Sequence, residues 1–461
     1  MTALNPPAAR RPVRVSRRWA MALSVAASAL IIALPAWLNG FPFLFWDTGG
    51  YLSTVASGMV VPGRSVSYGL LLMAGRWPDF WPVVLAQSLL AAWLVMLMLR
   101  VHGWGGRPFV TFAACALLTV FTALPFVAGQ LMPDALAAYG PLALYLLLWK
   151  RPALRPAEVA VLGSTAALAG ACHASALAIQ IVLVVVALCA GLAIPALRPA
   201  LRWRLPVAAL LVGGLLNPFA NLVIAGRFAQ TPGGVAFVFG RLLEDGMVAR
   251  YLARHCPDPS QPLCQYRDQL PDSANDFLWD NDEIFNAIGG SRGGEPYMRA
   301  IIIGSVLDEP LRNAALAVRA FARQMVTPAT GESFFNYLID SYDVIEKDAP
   351  AAYPAMKAAR QQSAAGLDFE ALNALHVPVA IGATLILTAV VVWAGWTRRL
   401  DICLMAGSLF AILAANAAVC GILSNPTDRY QSRVAWIAVL ALIILALKGA
   451  AAFRSRWRGM P

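Results

Sequence analysis

Long apolar runs, broken by short polar ones, set the pattern of this chain. Runs near positions 20–38, 82–100, 108–128, 134–149, 205–225, 374–396, 402–422 and 432–451 each approach the roughly 20 residues a helix needs to cross a bilayer. The stretch 158–197 is apolar for long enough to hold two more, with GACHAS as the turn between them. The runs are continuous rather than alternating, which predicts helices and argues against a β-barrel. The fold expected is therefore an all-α polytopic membrane protein of about ten transmembrane helices.

Two polar insertions interrupt the pattern. Residues 39–80 are too broken by Pro and Gly to span, and their aromatics suit helices lying in the membrane interface. Residues 226–372 are the one soluble-looking region. Within it GRLLEDGMVARYLARH reads as an amphipathic helix, and EPLRNAALAVRAFARQM as a basic amphipathic segment suited to a membrane surface. The organisation expected is an N-terminal bundle (1–225) carrying the outer loop 39–80, a mainly helical extracytoplasmic region (226–372), and C-terminal transmembrane helices (373–461).

Composition agrees with the pattern: of 461 residues, 59% are hydrophobic and only 13% charged. Mean hydropathy is +0.63, which a soluble surface rarely permits. The net charge of +11 raises nucleic-acid binding, but its placement excludes that class. The Lys and Arg sit in short clusters between apolar runs, as the positive-inside rule requires of cytoplasmic loops. The rule predicts both termini in the cytoplasm, with Arg10, Arg11, Arg14, Arg17 and Arg18 ahead of the first, uncleaved helix. Arg429 and Arg433, in an expected outer loop SNPTDRYQSR, are the exception.

Of seven Cys, five lie in or beside apolar segments, where Cys behaves as a small hydrophobe. Cys256 and Cys264, in the Pro-rich HCPDPSQPLC, read as a disulfide if the region faces an oxidising compartment. A metal site with the adjacent His255 is the weaker reading, since only three soft ligands are in view.

Candidate chemistry gathers on the outer side. Asp47 in FPFLFWDTGGYL is the only carboxylate before Asp79. It reads as a helix cap, or as a base that takes the proton of an attacking hydroxyl. Asp134 in LMPDALAAY has the same two readings, with capping the stronger. Arg429 and Arg433 suit an anionic headgroup, because the guanidinium fork matches phosphate; pairing with Asp428 or with lipid headgroups is the plainer alternative. His173, at a tight outer turn, reads as a ligand contact or as structural. Glu244, Asp245 and Asp280 are candidate acceptor contacts or merely solvated carboxylates. GGSRGG is no phosphate loop, lacking a preceding strand and a Lys-Ser/Thr. No Asp, Glu, Lys or Arg falls near the middle of any expected span, which disfavours an ion-coupled transporter.

These features together resemble the membrane glycosyltransferases of the GT-C superfamily, which take a polyprenyl-phosphate sugar as donor. The resemblance rests on Asp47 in FWDTGGYL after the first helix, on Asp134 opening a later helix, and on Arg429 or Arg433 near the last helix. Many relatives carry an acidic pair in the first loop, whereas here Thr48 follows Asp47. The resemblance implies an enzyme of a bacterial inner membrane with its active site facing the periplasm. Asp47 and Asp134 would be catalytic. Arg429, Arg433, His173 and Tyr430 would hold the donor phosphate, and Tyr51, Arg64, Glu244 and Asp245 the acceptor. Its partners would be the lipid donor, membrane lipids, and a glycan, lipid or protein acceptor. No cofactor or metal-ligand set is indicated, and a divalent-metal requirement stays open. A lipid-linked glycan transporter or flippase and a non-catalytic envelope scaffold are the alternatives.

Overall fold

A computed structural model describes residues 16–58, 61–280 and 282–458; the expected basic head at Arg10, Arg11 and Arg14 lies outside them. The described chain is all-helical, with one isolated bridge, Phe43 to Gln130, and no strand. The first half holds α1 (Arg17–Asn39), α2 (Trp46–Ser57), α3 (Val66–Ala74), α4 (Trp81–Leu99), α5 (Pro108–Phe121), α6 (Leu124–Ala128), α7 (Leu136–Trp149), α8 (Pro156–Cys172), α9 (Ala174–Ala193) and α10 (Arg204–Ala225). A head follows: α11 (Gly234–Glu244), α12 (Met247–His255), α13 (Glu283–Ala287), α14 (Gly290–Gly293), α15 (Glu295–Asp308), α16 (Pro310–Met325), α17 (Ile339–Asp348) and α18 (Tyr353–Lys357). The chain closes with α19 (Glu370–Trp396), α20 (Leu400–Leu423) and α21 (Asp428–Arg458).

Among the described residues seven helices, α1, α4, α9, α10, α19, α20 and α21, are long and apolar enough to cross a membrane. The segments expected as the third, fourth and fifth spans fold as the shorter helices α5, α7 and α8. The third stretch is not one helix. Thr122 turns to extended backbone, its hydroxyl donates to Leu118 O (2.5 Å) and accepts from Leu124 N (3.3 Å), and the chain restarts as α6. The last helix begins four residues earlier than expected, at Asp428, so Arg429 and Arg433 stand in its first turns rather than in a loop.

Every residue of α7 is buried, so it forms the axis of the bundle, and Asp134 sits in the 3-10 turn that opens it. Close approach around it uses small residues, the usual device for packing helices in lipid. A Cβ on Gly140 would lie 2.5 Å from Ala169 Cβ, and one on Gly213 would lie 2.5 Å from Ala167 O.

The head divides in two. Residues between Ala236 and Ile301 bury a core of their own, while Leu338, Tyr342, Ile345 and Met356 belong to the bundle core beneath α2. The helix expected over GRLLEDGMVARYLARH is broken at Gly246, whose φ of +71° ends α11 and starts α12. Cys256 and Cys264 are disulfide-bonded and pack on the separate core. Replacing both by Ser is expected to cost about 2–3 kcal/mol, the chain-entropy value for so short a loop. Limited proteolysis checks it: cleavage should accelerate between 247 and 302 and nowhere else.

Candidate functional site

The site is built where α2, the turn ahead of α7, and α21 meet. Spacing places the cations: Arg429 and Arg433 are four apart, so they share one helical face. That face looks at the head of α7. Arg429 grips Asp134 with both arms of its fork, Nε to Oδ1 at 3.0 Å and Nη2 to Oδ2 at 2.9 Å. Arg433 Nη1 donates to the same Oδ1 at 3.0 Å. Asp134 therefore does not cap α7; its carboxylate is spent on two guanidinium groups.

Asp47 is not a cap either. α2 starts at Trp46, and Thr48 does the local capping by accepting Phe45 N at 3.0 Å. Gly49 lets α17 come close, since a Cβ there would lie 2.8 Å from Ser341 Cα. The Asp47 carboxylate turns to Arg64, with which it makes a short ion pair, and to Arg429 Nη1 at 3.4 Å. Arg429 also lies over the Phe45 ring, 4.0 Å from its centroid, a cation–π contact.

Burial grades across the cluster. Asp134 and Arg433 are 1% and 0% exposed and form its floor, whereas Asp47, Arg64 and Arg429 keep 13–15% and form an open rim. Arg433 is further held by Asn416 Oδ1 (3.0 Å) and Ser175 Oγ (2.8 Å), and its guanidinium lies 5.0 Å from the Tyr430 ring. Ser175 in turn stands 2.7 Å from His173 Nδ1. Burial, and then Arg433, push His173 down to about 3. It is neutral near pH 7 and brings no charge to an anion. Tyr51 is buried edge-on against Tyr68.

The structure thus brings Asp47, Asp134, Arg64, Arg429, Arg433, Tyr430, Tyr51 and His173 to one place. Glu244 and Asp245 lie elsewhere: Glu244 binds Asn425 and Ala274 N, and Asp245 pairs with Arg241 one helical turn away. Asp280 binds Asn275. Asp428, one alternative partner for the two arginines, accepts Ala329 N (2.7 Å). Among the described residues, no group of three His, Cys, Asp or Glu is arranged to hold a metal ion.

The chain matches no protein-family profile, no curated protein and no solved structure. What it does has to be read from this site.

Two members of the site had no signal in the sequence. Glu332, from the 327–338 loop, accepts Arg429 N at 2.5 Å, and Gln130 lines the same recess as Glu332, Asp134, Arg429 and Arg433. Burial raises Glu332, and the opposing pull of Arg429 does not offset it. A carboxyl raised in the fold adds stability below the ordinary carboxylate range and loses it as pH climbs through the raised value. Glu332→Gln, which keeps the acceptor for Arg429 N, is therefore expected to melt a few degrees higher than wild type at pH 7–8. The gap should close at pH 4, which thermal unfolding at the two pH values checks.

The recess leaves about 20 Å³ for water centres, room for a water molecule but not a sugar. Two donors around the cluster, Arg64 Nε and Gln130 Nε2, are buried without an acceptor among the described residues. Buried donors normally have one, and the oxygens of a ligand could supply it.

Proposed function

We propose that the chain is an integral membrane glycosyltransferase that moves a sugar from a polyprenyl-phosphate donor to an acceptor on the periplasmic face of a bacterial inner membrane. In this reading α5, α7 and α8 complete ten crossings with the seven longer helices, and both termini are cytoplasmic. One observation carries it: three guanidinium groups meet the carboxylates of Asp47 and Asp134 where α2, the turn ahead of α7 and α21 come together, with an open rim.

At the rim two guanidinium groups, Arg64 and Arg429, share the one carboxylate of Asp47, which favours an anion. The donor phosphate binds at the rim, to Arg429 and Arg64. The 3.4 Å contact from Arg429 to Asp47 is the longest in the cluster, and it is the one the phosphate replaces. Asp47 Oδ2 is then free to accept the acceptor hydroxyl. The hydroxyl oxygen attacks the anomeric carbon, its proton passes to Asp47, and the carbon–oxygen bond to phosphate breaks. Polyprenyl phosphate leaves with the bonding electrons beside Arg429 and Arg64. One displacement inverts the anomeric centre. Asp134 is a positioning residue that aims Arg429 and Arg433.

Glycan and lipid profiling of a deletion strain tests this. Complementation with wild type should restore one glycan modification that Asp47→Asn leaves missing while accumulating normally on a blot. Full restoration by Asp47→Asn would refute the proposal.

A further inference from the structure

Large aromatic rings are normally buried, but four stand open around the rim of the ionic cluster. Trp46 is 37%, Phe335 42% and Tyr337 60% exposed, and Trp46 directly precedes Asp47. On the other flank Trp279, 45% exposed, lies 5.7 Å from the Arg64 guanidinium.

The first three form a platform. Trp46 meets Phe335 and Tyr337 edge-on, with centroids 5.9 and 5.8 Å apart, and Phe335 and Tyr337 stack at 5.6 Å and 22°. The backbone beneath is fixed. Ser341 Oγ donates to Phe45 O (3.1 Å) and accepts Gly49 N (3.0 Å). Gln361 Nε2 joins Leu44 O (2.9 Å) to Phe335 O (3.3 Å), and the Tyr342 hydroxyl holds Asn336 O (2.7 Å). Rings held this way are pre-organised, so little ordering cost remains on binding.

The charge around the platform selects its occupant. α17 adjoins it and carries Asp340, Asp343, Glu346 and Asp348, the first three exposed, which Lys347, Lys357 over the Tyr342 ring (4.7 Å) and Arg360 offset only in part. An aromatic belt seated in an anionic leaflet is accompanied by basic residues, and these carboxylates would be repelled there. A pyranose fits both features. Its C–H face is weakly positive and lies on the negative face of a ring, and its hydroxyls donate to carboxylates.

We infer that Trp46, Phe335 and Tyr337 form a stacking subsite for a sugar ring of a glycan, which on the transferase reading is the acceptor delivered to Asp47. Of the three acceptor classes that reading leaves open, this selects the glycan.

The test reads binding, not transfer. Full-length protein in nanodiscs is titrated with the hexasaccharides of β1,4-glucose, α1,4-glucose, β1,4-N-acetylglucosamine and α1,6-mannose, followed by saturation-transfer difference NMR. At least one should show transfer to its ring C–H protons. Phe335→Ala and Tyr337→Ala should each weaken it at least fivefold, with melting temperatures kept, while Tyr337→Phe and Glu244→Gln bind as wild type. No transfer from any of the four, or equal binding by the two alanine variants, overturns the subsite. So does strong relaxation of 3-fluorotyrosine at position 337 by acyl-chain nitroxides, which would make the platform a membrane anchor. Glycan binding is read with no donor present, so it would stand even if the donor chemistry failed, and a platform that binds no glycan would leave the donor site untouched.

Discussion

Arg433→Met is expected to cost about 3 kcal/mol of stability, the lower end of the range for breaking a buried ion pair from one side. Arg433 is fully buried, and its loss takes the donor away from Asp134, Asn416 and Ser175 together. Asp134 keeps its bidentate hold from Arg429, which limits the damage. A cycle with Asp134→Asn isolates the pair. Because the two side chains share one network, the double variant should lose less than the sum of the singles by about 1–3 kcal/mol. Denaturant unfolding in detergent reads this, and additive losses would show that Asp134 and Arg433 do not depend on each other.

Asp47→Asn is expected to lower sugar transfer by about 10²–10⁴-fold, the usual contribution of a positioned general base. The amide keeps the shape of the side chain, so the protein should fold, and the melting temperature measured on the same preparation checks that. Glu244→Gln serves as the control. It lies away from the cluster, tied to Asn425 and Ala274, and transfer should stay within about twofold of wild type. A loss shared equally by both variants would move the chemistry away from Asp47.

How much of this was legible in the sequence differs by element. The helical segments were legible because apolar length is dictated by bilayer thickness, and each expected crossing contains a helix. The break at Thr122 was not, because a hydroxyl bonding back to Leu118 and forward to Leu124 leaves no mark on hydropathy. Asp47, Asp134, Arg429 and Arg433 stood out as charges that violate an apolar or a positive-inside pattern. Their mutual contacts did not, since Asp47 and Arg429 are joined only by tertiary packing. Glu332 and Gln130 were invisible, being ordinary polar residues in polar stretches. Glu244 and Asp245 were misleading for the same reason: carboxylates in a polar region carry no record of what they face. The Cys256–Cys264 bond was legible from spacing and composition, whereas the split of the head depends on which apolar faces find the bundle.

The central claim is that the rim formed by Arg429, Arg64 and Asp47 is a site for the phosphate of a polyprenyl-phosphate lipid. Native mass spectrometry of the full-length protein with polyprenyl phosphate and with the uncharged polyprenol of the same length tests it most directly. The phosphate should bind at least tenfold more tightly than the alcohol, and Arg429→Gln should erase that difference. Equal binding of the two lipids, or a preference that survives Arg429→Gln, would contradict it.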